Sequence, residues 1–230
     1  MIAMEQIESR FEVFTGEEID EAFLEKLMDV DRAVYDPRYA GSFDNMLGRF
    51  RAEKRSFVGI KEKGSNDPAG HINFFPINDE LWDDITESGT VVRDDDIRPD
   101  ELVPFGSADD KGYKLFVLSI DILPEFRDVK DAVITMSEGF RQYLLKLNRE
   151  GHRILALSAA AISDDGKKFL SDRFFYFKRE VRGYCWDPAD ERKADSRAYE
   201  DVDYVYVCDG EYLKLFLSGK LNRDARKREI

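Results

Sequence analysis

A chain of 230 residues with 43% hydrophobic and 13% aromatic side chains has ample core material, which excludes disorder as its main state. Its 48 acidic against 35 basic residues leave a formal charge of −13, a field that repels phosphate backbones and argues against nucleic acid as a partner. Two cysteines are too few for a disulfide framework, the opening MIAMEQIESR lacks a basic-then-apolar leader, and no apolar run approaches the roughly 20 residues of a spanning helix, so a soluble protein of the reducing cytoplasm with no membrane contact is expected.

Residues 11–14 read as a short strand. Thr15 and Glu18 have the spacing by which a helix start satisfies two amides reciprocally; Ile19, Phe23, Leu27, Val30 and Val34 then mark one helical face until Asp36-Pro37. A second helix fits 44–53, capped by Asp44, with Met46, Leu47 and Phe50 inward. Segments 57–62 and 69–76 flank the turn-forming Gly64-Ser65-Asn66-Asp67-Pro68 and predict a hairpin. From 77 to 112 the pattern loosens into a helical piece around Leu81, Trp82 and Ile85 and an acidic stretch containing Asp94-Asp95-Asp96. Val91, Val92, Ile97, Leu102 and Phe105 make this an insertion with apolar residues of its own.

The near-continuous apolar run 114–123 predicts a central strand buried on both faces, ended by Pro124. Val133, Met136, Phe140, Tyr143, Leu144 and Leu147 trace a helical stripe closed by Gly151. A second buried strand follows at 154–160, a short helix opened by Asp164 or Asp165, and strands at 175–184 and 204–208; 187–197 reads as a loop and 220–230 as a basic, frayed tail. Strands first antiparallel and then alternating with helices describe a mixed sheet, an α/β (α+β) fold, in one domain spanning 1–230.

Strict alternation along 114–123 sets Phe116, Leu118, Ile120 and Ile122 on one face and Leu115, Val117, Ser119 and Asp121 on the other. Asp121 is then a charge in an apolar strand, costly to bury alone, and so either a functional carboxylate or, the simpler reading, the partner of a basic group at the sheet end. His71 reads as a hydrogen-bonded sheet residue and His152 as a helix-end cap. With two distant histidines and no Cys-x-x-Cys, no metal site is expected. Asp94-Asp95-Asp96 lacks the spacing of a calcium loop and reads as a solvated acidic turn, with attraction of a cationic amine as its functional alternative.

The run Leu118-Ser119-Ile120-Asp121-Ile122-Leu123-Pro124-Glu125-Phe126-Arg127 resembles the strand and turn that lead into the pyrophosphate loop of the GNAT N-acetyltransferase superfamily, and the element order from about 11 to 184 is similar. The resemblance implies a strongly bent central sheet flanked by helices, and a loop of pattern Gln/Arg-x-x-Gly-x-Gly/Ala whose amides bind the coenzyme A pyrophosphate. The six positions here are Arg127, Asp128, Val129, Lys130, Asp131 and Ala132; Arg127 and Ala132 match, and Lys130 stands where the first glycine is expected. Ile120, Ile122 and Leu123 complete the implied cofactor-binding set. Many members also read Phe-Tyr-x-x-x-Gly-Phe, the Tyr protonating the departing thiolate. Leu170 takes the place of that Tyr and Phe174 that of the Gly, leaving Tyr176, Tyr143 and Tyr113 as substitutes.

The function implied is transfer of an acetyl group from acetyl-CoA directly to an amine of a small-molecule or peptide acceptor, with Asp121 and Tyr176 as catalytic residues and a homodimer left open. Cations for the polyanionic cosubstrate would come from Arg127, Lys130, Lys167 and Lys168. Two alternatives stand beside this reading: a catalytically inactive GNAT-fold binding or regulatory protein, and an unrelated acidic interaction domain whose element order mimics the fold.

Overall fold

The computed structural model describes residues 9–37, 39–88, 92–107, 111–185 and 199–221; Val91, the expected loop at 187–197 and the tail beyond 221 lie outside them. Seven strands, β1 (Phe11–Thr15), β2 (Phe57–Glu62), β3 (Pro68–Ile77), β4 (Tyr113–Ile122), β5 (Ile154–Ala161), β6 (Tyr176–Cys185) and β7 (Tyr199–Asp209), form one sheet in the order β1-β2-β3-β4-β5-β7-β6. Among the described residues only β4 and β5 run parallel.

The helices are α1 (Glu21–Val34), α2 (Phe43–Ala52), α3 (Asp79–Asp83), α4 (Lys130–Arg149), α5 (Asp164–Asp172) and α6 (Gly210–Leu217). Of the expected stripe of α4, Val133 is half-buried, and Met136 to Leu147 are buried with α6 against one face of the sheet, where Phe74, Leu115 and Leu157 lie. Helices α1 and α2 and the insertion bury the other face around Phe57, Phe75 and Phe116. Among the described residues no helix is long and apolar enough to cross a membrane.

Three helix starts differ from expectation. Thr15 and Glu18 do bond, with the Thr15 amide 2.7 Å from Glu18 Oε2, but they close only the 3-10 turn Gly16–Glu18. Ile19 is extended and Asp20 caps α1, accepting from the Phe23 amide at 2.8 Å. Ser42, not Asp44, caps α2, and Ser163, not Asp164 or Asp165, caps α5. In α2 and α5 the serine lies just before the acidic residues, which sit in the first turn where the helix dipole favours them. The last strand also begins earlier than 204 and is followed by α6, which was not anticipated.

The alternation expected along β4 fails in its middle. Asn73 faces Ser119 but Phe74 faces Val117, so Leu118 is an extra, bulged residue. Beyond it the faces exchange: Leu115, Val117, Ile120 and Ile122 pack towards α4, while Phe116 and Leu118 pack towards α1 and α2.

Candidate active site

Pairing between β4 and β5 runs from Tyr113 with Ile154 to Val117 with Ala159 and stops. Past that point β4 continues on β3 alone, as far as Ile122 with Gly70, and β5 on β7 alone, as far as Ala161 with Tyr204. The two strands therefore part in a wedge, and the side of 118–122 that turns to β5 has no partner strand. The wedge is the floor of a cleft of about 540 Å³, closed by Tyr35 and Tyr39 after α1, by Arg127 and Asp128 before α4, and by Phe169 and Leu170 of α5.

Of the expected cofactor-binding residues, Ile120, Ile122, Arg127 and Asp128 line this cleft. Leu123, Val129, Lys130, Asp131 and Ala132 are not on its wall: Lys130 is exposed at the start of α4 and Ala132 is fully buried beneath it. Asp131 is turned towards the chain before β1, where its Oδ2 accepts from Ser9 Oγ at 3.1 Å and the Arg10 amide at 2.9 Å. No residue from 127 to 132 has a positive φ, so this loop does not need glycine for its backbone conformation. Among the described residues no acceptor takes the amides of Asp128, Lys130 and Asp131, the ordinary condition of a helix N-terminus.

The four candidate cations do not converge. Arg127 reaches back, donating from Nε to the Ile122 carbonyl at 3.2 Å and from Nη2 to that of Val34 at 3.5 Å. Lys167 pairs with Asp164 at 2.9 Å and lies 3.6 Å from the centre of the Tyr204 ring, and Lys130 and Lys168 are exposed.

The expected tyrosines lie elsewhere. Tyr176 donates to Asp209 Oδ2 at 3.3 Å and packs on Tyr212, at the far side of β7. Tyr113 accepts from the Gly106 amide at 2.6 Å, and Tyr143 is buried against α4's core partners. Leu170, expected in the place of the family tyrosine, lines the cleft. Phe174, in the place of the glycine, adopts φ +66°, the left-handed conformation that glycine takes without strain.

In the acidic turn of the insertion Asp95 and Asp96 are exposed, as expected of a solvated turn, whereas Asp94 is turned inward. Asp94 pairs with the fully buried Arg49 at 2.7 Å, and Arg49 also donates to the carbonyls of Asp94 and Ile97 at 2.6 and 3.1 Å. Asp95 accepts from the amide and hydroxyl of Ser42 at 2.9 and 3.0 Å, and Asp96 from the Arg93 amide at 2.7 Å. Asp94 and Asp95 thus hold the insertion on α2 and its cap, while Asp96 caps its own turn.

Asp121 is completely buried on the α1 face, and among the described residues no lysine or arginine pairs with it. Its neighbour is His71, directly opposite on β3, with Nε2 3.7 Å from Asp121 Oδ2 and 3.3 Å from Oδ1 of Asp31 on α1. Burial first, and then the charge of Asp121, push the Asp31 carboxyl well above the usual carboxylate range. Burial lowers the His71 imidazole despite Asp121. Tyr35 lies beside Asp121 and faces the cleft. Burial, then Asp121 and Asp31, raise its phenol well above the ordinary value, so it stays protonated at neutral pH. Sequence reasoning missed Tyr35; its position at the helix stop before Asp36-Pro37 was the available signal, since α1 ends there with its backbone amide closing on the Asp31 carbonyl.

No protein-family model matches the chain, and no curated protein is similar to it in sequence. Solved structures do superpose on it. The loading GNATL domain of CurA from Lyngbya majuscula does so with TM-score 0.56 and 11% identity over 86% of this chain and 97% of that one. The fold is that of the GNAT acyltransferases. The GphF GNAT-like decarboxylase in complex with isobutyryl-CoA gives 0.53 at 11% identity, over 85% of this chain and 97% of that one. An N-acetyltransferase from Staphylococcus aureus Mu50 gives 0.51 at 12%, over 87% and 99%. The parted β4 and β5 carry the likeness from element order to the fold itself.

Proposed function

We propose that the cleft binds an acyl-coenzyme A, acetyl-CoA in the first instance, and passes the acyl group to an amine of a small molecule or peptide. The observation that carries this reading is the wedge itself. The peptide edge of 118–122 is free on the β5 side, and an extended, amide-containing pantetheine arm can pair with it as a strand would. The free amides at the start of the 20-residue α4, with Arg127 beside them, suit the pyrophosphate. Ile120 and Ile122 supply apolar wall, while Leu123, Val129 and Ala132 shape the turn. The complexes of the neighbours agree, since one of them holds isobutyryl-CoA.

A bound thioester supplies an electrophilic carbonyl and a thiolate leaving group. The amine nitrogen bonds to the carbonyl carbon as the carbon–sulfur bond breaks; the nitrogen gives up a proton and the sulfur takes one. We assign the sulfur's proton to Tyr35, whose phenol lines the cleft and is kept in its neutral form by the buried carboxylates behind it. Asp121 then orients that phenol from behind rather than meeting the amine, and the acid's role moves from Tyr176 to Tyr35.

One observation favours the inactive alternative: a leucine, Leu170, fills the place of the family's acid. Calorimetry with acetyl-CoA, followed by thiol release with a panel of primary amines, separates the two. Micromolar binding that weakens on Arg127→Ala, with Tyr35→Phe lowering turnover by about 10²-fold at little change in binding, supports the transferase. Binding without thiol release for any amine supports the inactive reading, and no heat at millimolar acetyl-CoA overturns the transferase and leaves a protein that has lost its CoA loop.

A further inference from the structure

We infer that Asp31, His71 and Asp121 form a buried binding site for one divalent transition-metal ion of the zinc and manganese class. The three side chains come from α1, β3 and β4, and their donor atoms lie within 4.8 Å of one another. His71 and Asp121 are held side by side by the register of β3 and β4, which approach closely here because Gly70 has no side chain: a Cβ on it would sit 2.3 Å from the Asp121 carbonyl oxygen.

Asp31 and Tyr35 each turn a side chain to Asp121, but these contacts leave the imidazole of His71 out. Both ring nitrogens of His71, both carboxylate oxygens of Asp121 and Oδ1 of Asp31 are buried without a hydrogen-bond partner of ordinary geometry. Buried polar atoms are seldom left in this state. His71, with 0% exposure, is the observation independent of the two acids, since its unpartnered Nε2 points between them. A metal with donors at about 2.0–2.2 Å places neighbouring donors roughly 3.0–3.5 Å apart. The Nε2 distance of 3.3 Å to Asp31 falls within that spacing, and that of 3.7 Å to Asp121 lies just beyond it and beyond a hydrogen bond.

Charge gives the same answer. Two carboxylates are buried together, and the nearest cation acting on Asp31, Arg49, is already committed to Asp94 and the Ile97 carbonyl. A dication would neutralise the pair, and one imidazole with two carboxylates suits zinc or manganese. Asp31 lines a small pocket of about 70 Å³ with Tyr35, Tyr39 and Ser119 that gives an ion its way in. Tyr35, beside Asp121, would stand in the outer shell. The expectation of no metal site rested on spacing, and these three residues are far apart along the chain and form no spaced motif.

The test uses the whole untagged chain, stripped of metal, titrated with cobalt(II) as a visible probe and with zinc(II) and manganese(II) by calorimetry. Expected are one equivalent bound at micromolar Kd or tighter, visible cobalt bands, and a higher Tm on loading. His71→Gln and Asp121→Asn should each weaken binding by more than about 100-fold. If a variant fails to fold, the wild-type titration decides alone. No cobalt bands and no heat at millimolar metal in the folded wild type overturn the site. Binding that survives unchanged in both folded variants overturns it as well. None of these readouts depends on acyl transfer.

Discussion

Phe174 is the one non-glycine residue, among those described, with a positive φ, and it is also buried in the core on the α4 side. The two facts pull in opposite directions. The ring contributes several kcal/mol of burial, about 3–5 for a buried Phe replaced by Ala, while a left-handed conformation costs an L-residue about 1–2 kcal/mol. Phe174→Ala should lose the burial and keep the strain, whereas Phe174→Gly should lose both. Urea unfolding should therefore rank Gly above Ala by about 1 kcal/mol, and the reverse order would show that the strain is not there. Arg49 makes a second case. Its guanidinium is fully buried against Asp94, so Arg49→Met should destabilise by about 3–5 kcal/mol through the carboxylate left behind, and adding Asp94→Asn should restore part of the loss. Nothing in the spacing of α2 marked this arginine as buried; its partner comes from the distant insertion, and single-helix periodicity carries no information about such pairs.

At the scale of elements, Ser42 is the clearest test of the revised helix starts. Its hydroxyl caps α2 and donates to Asp95, so Ser42→Ala should cost about 1–2 kcal/mol in chemical denaturation, while Asp44→Ala should cost less. The hairpin, β4, α4 and β5 were legible in the sequence because each has a long apolar pattern and an unambiguous stop. The bulge at Leu118 was not, because alternation counts residues and an inserted residue changes no local composition. It moved Ile120 and Ile122 onto the α4 face and left Asp121 facing His71, so the site differed from its reading although the strand did not. Helix α6 was missed for another reason. It is eight residues long, begins at a glycine, and owes its place to packing of Leu213 and Phe216 rather than to propensity.

For the whole molecule, the −13 charge bears on how the proposed ligand arrives. A polyanion approaching a polyanion is slowed at long range, and salt relieves the repulsion. The association rate of acetyl-CoA, measured by stopped flow, should rise severalfold between about 10 and 150 mM salt; a fall would mean that Arg127 and the start of α4 dominate the approach. The order of the last strands has a different consequence. β7 lies between β5 and β6, and among the described residues β6 pairs with β7 alone. A ribosome, however, delivers β6 first. Until residues 199–209 emerge, the nascent chain holds β6 with no neighbour and leaves one edge of β5, the apolar Ile154–Ala161, open. An open edge of this kind is a template for joining another chain, so a stalled or prematurely terminated translation product is the form of this protein most prone to aggregate, and the final strand acts as the seal on the sheet.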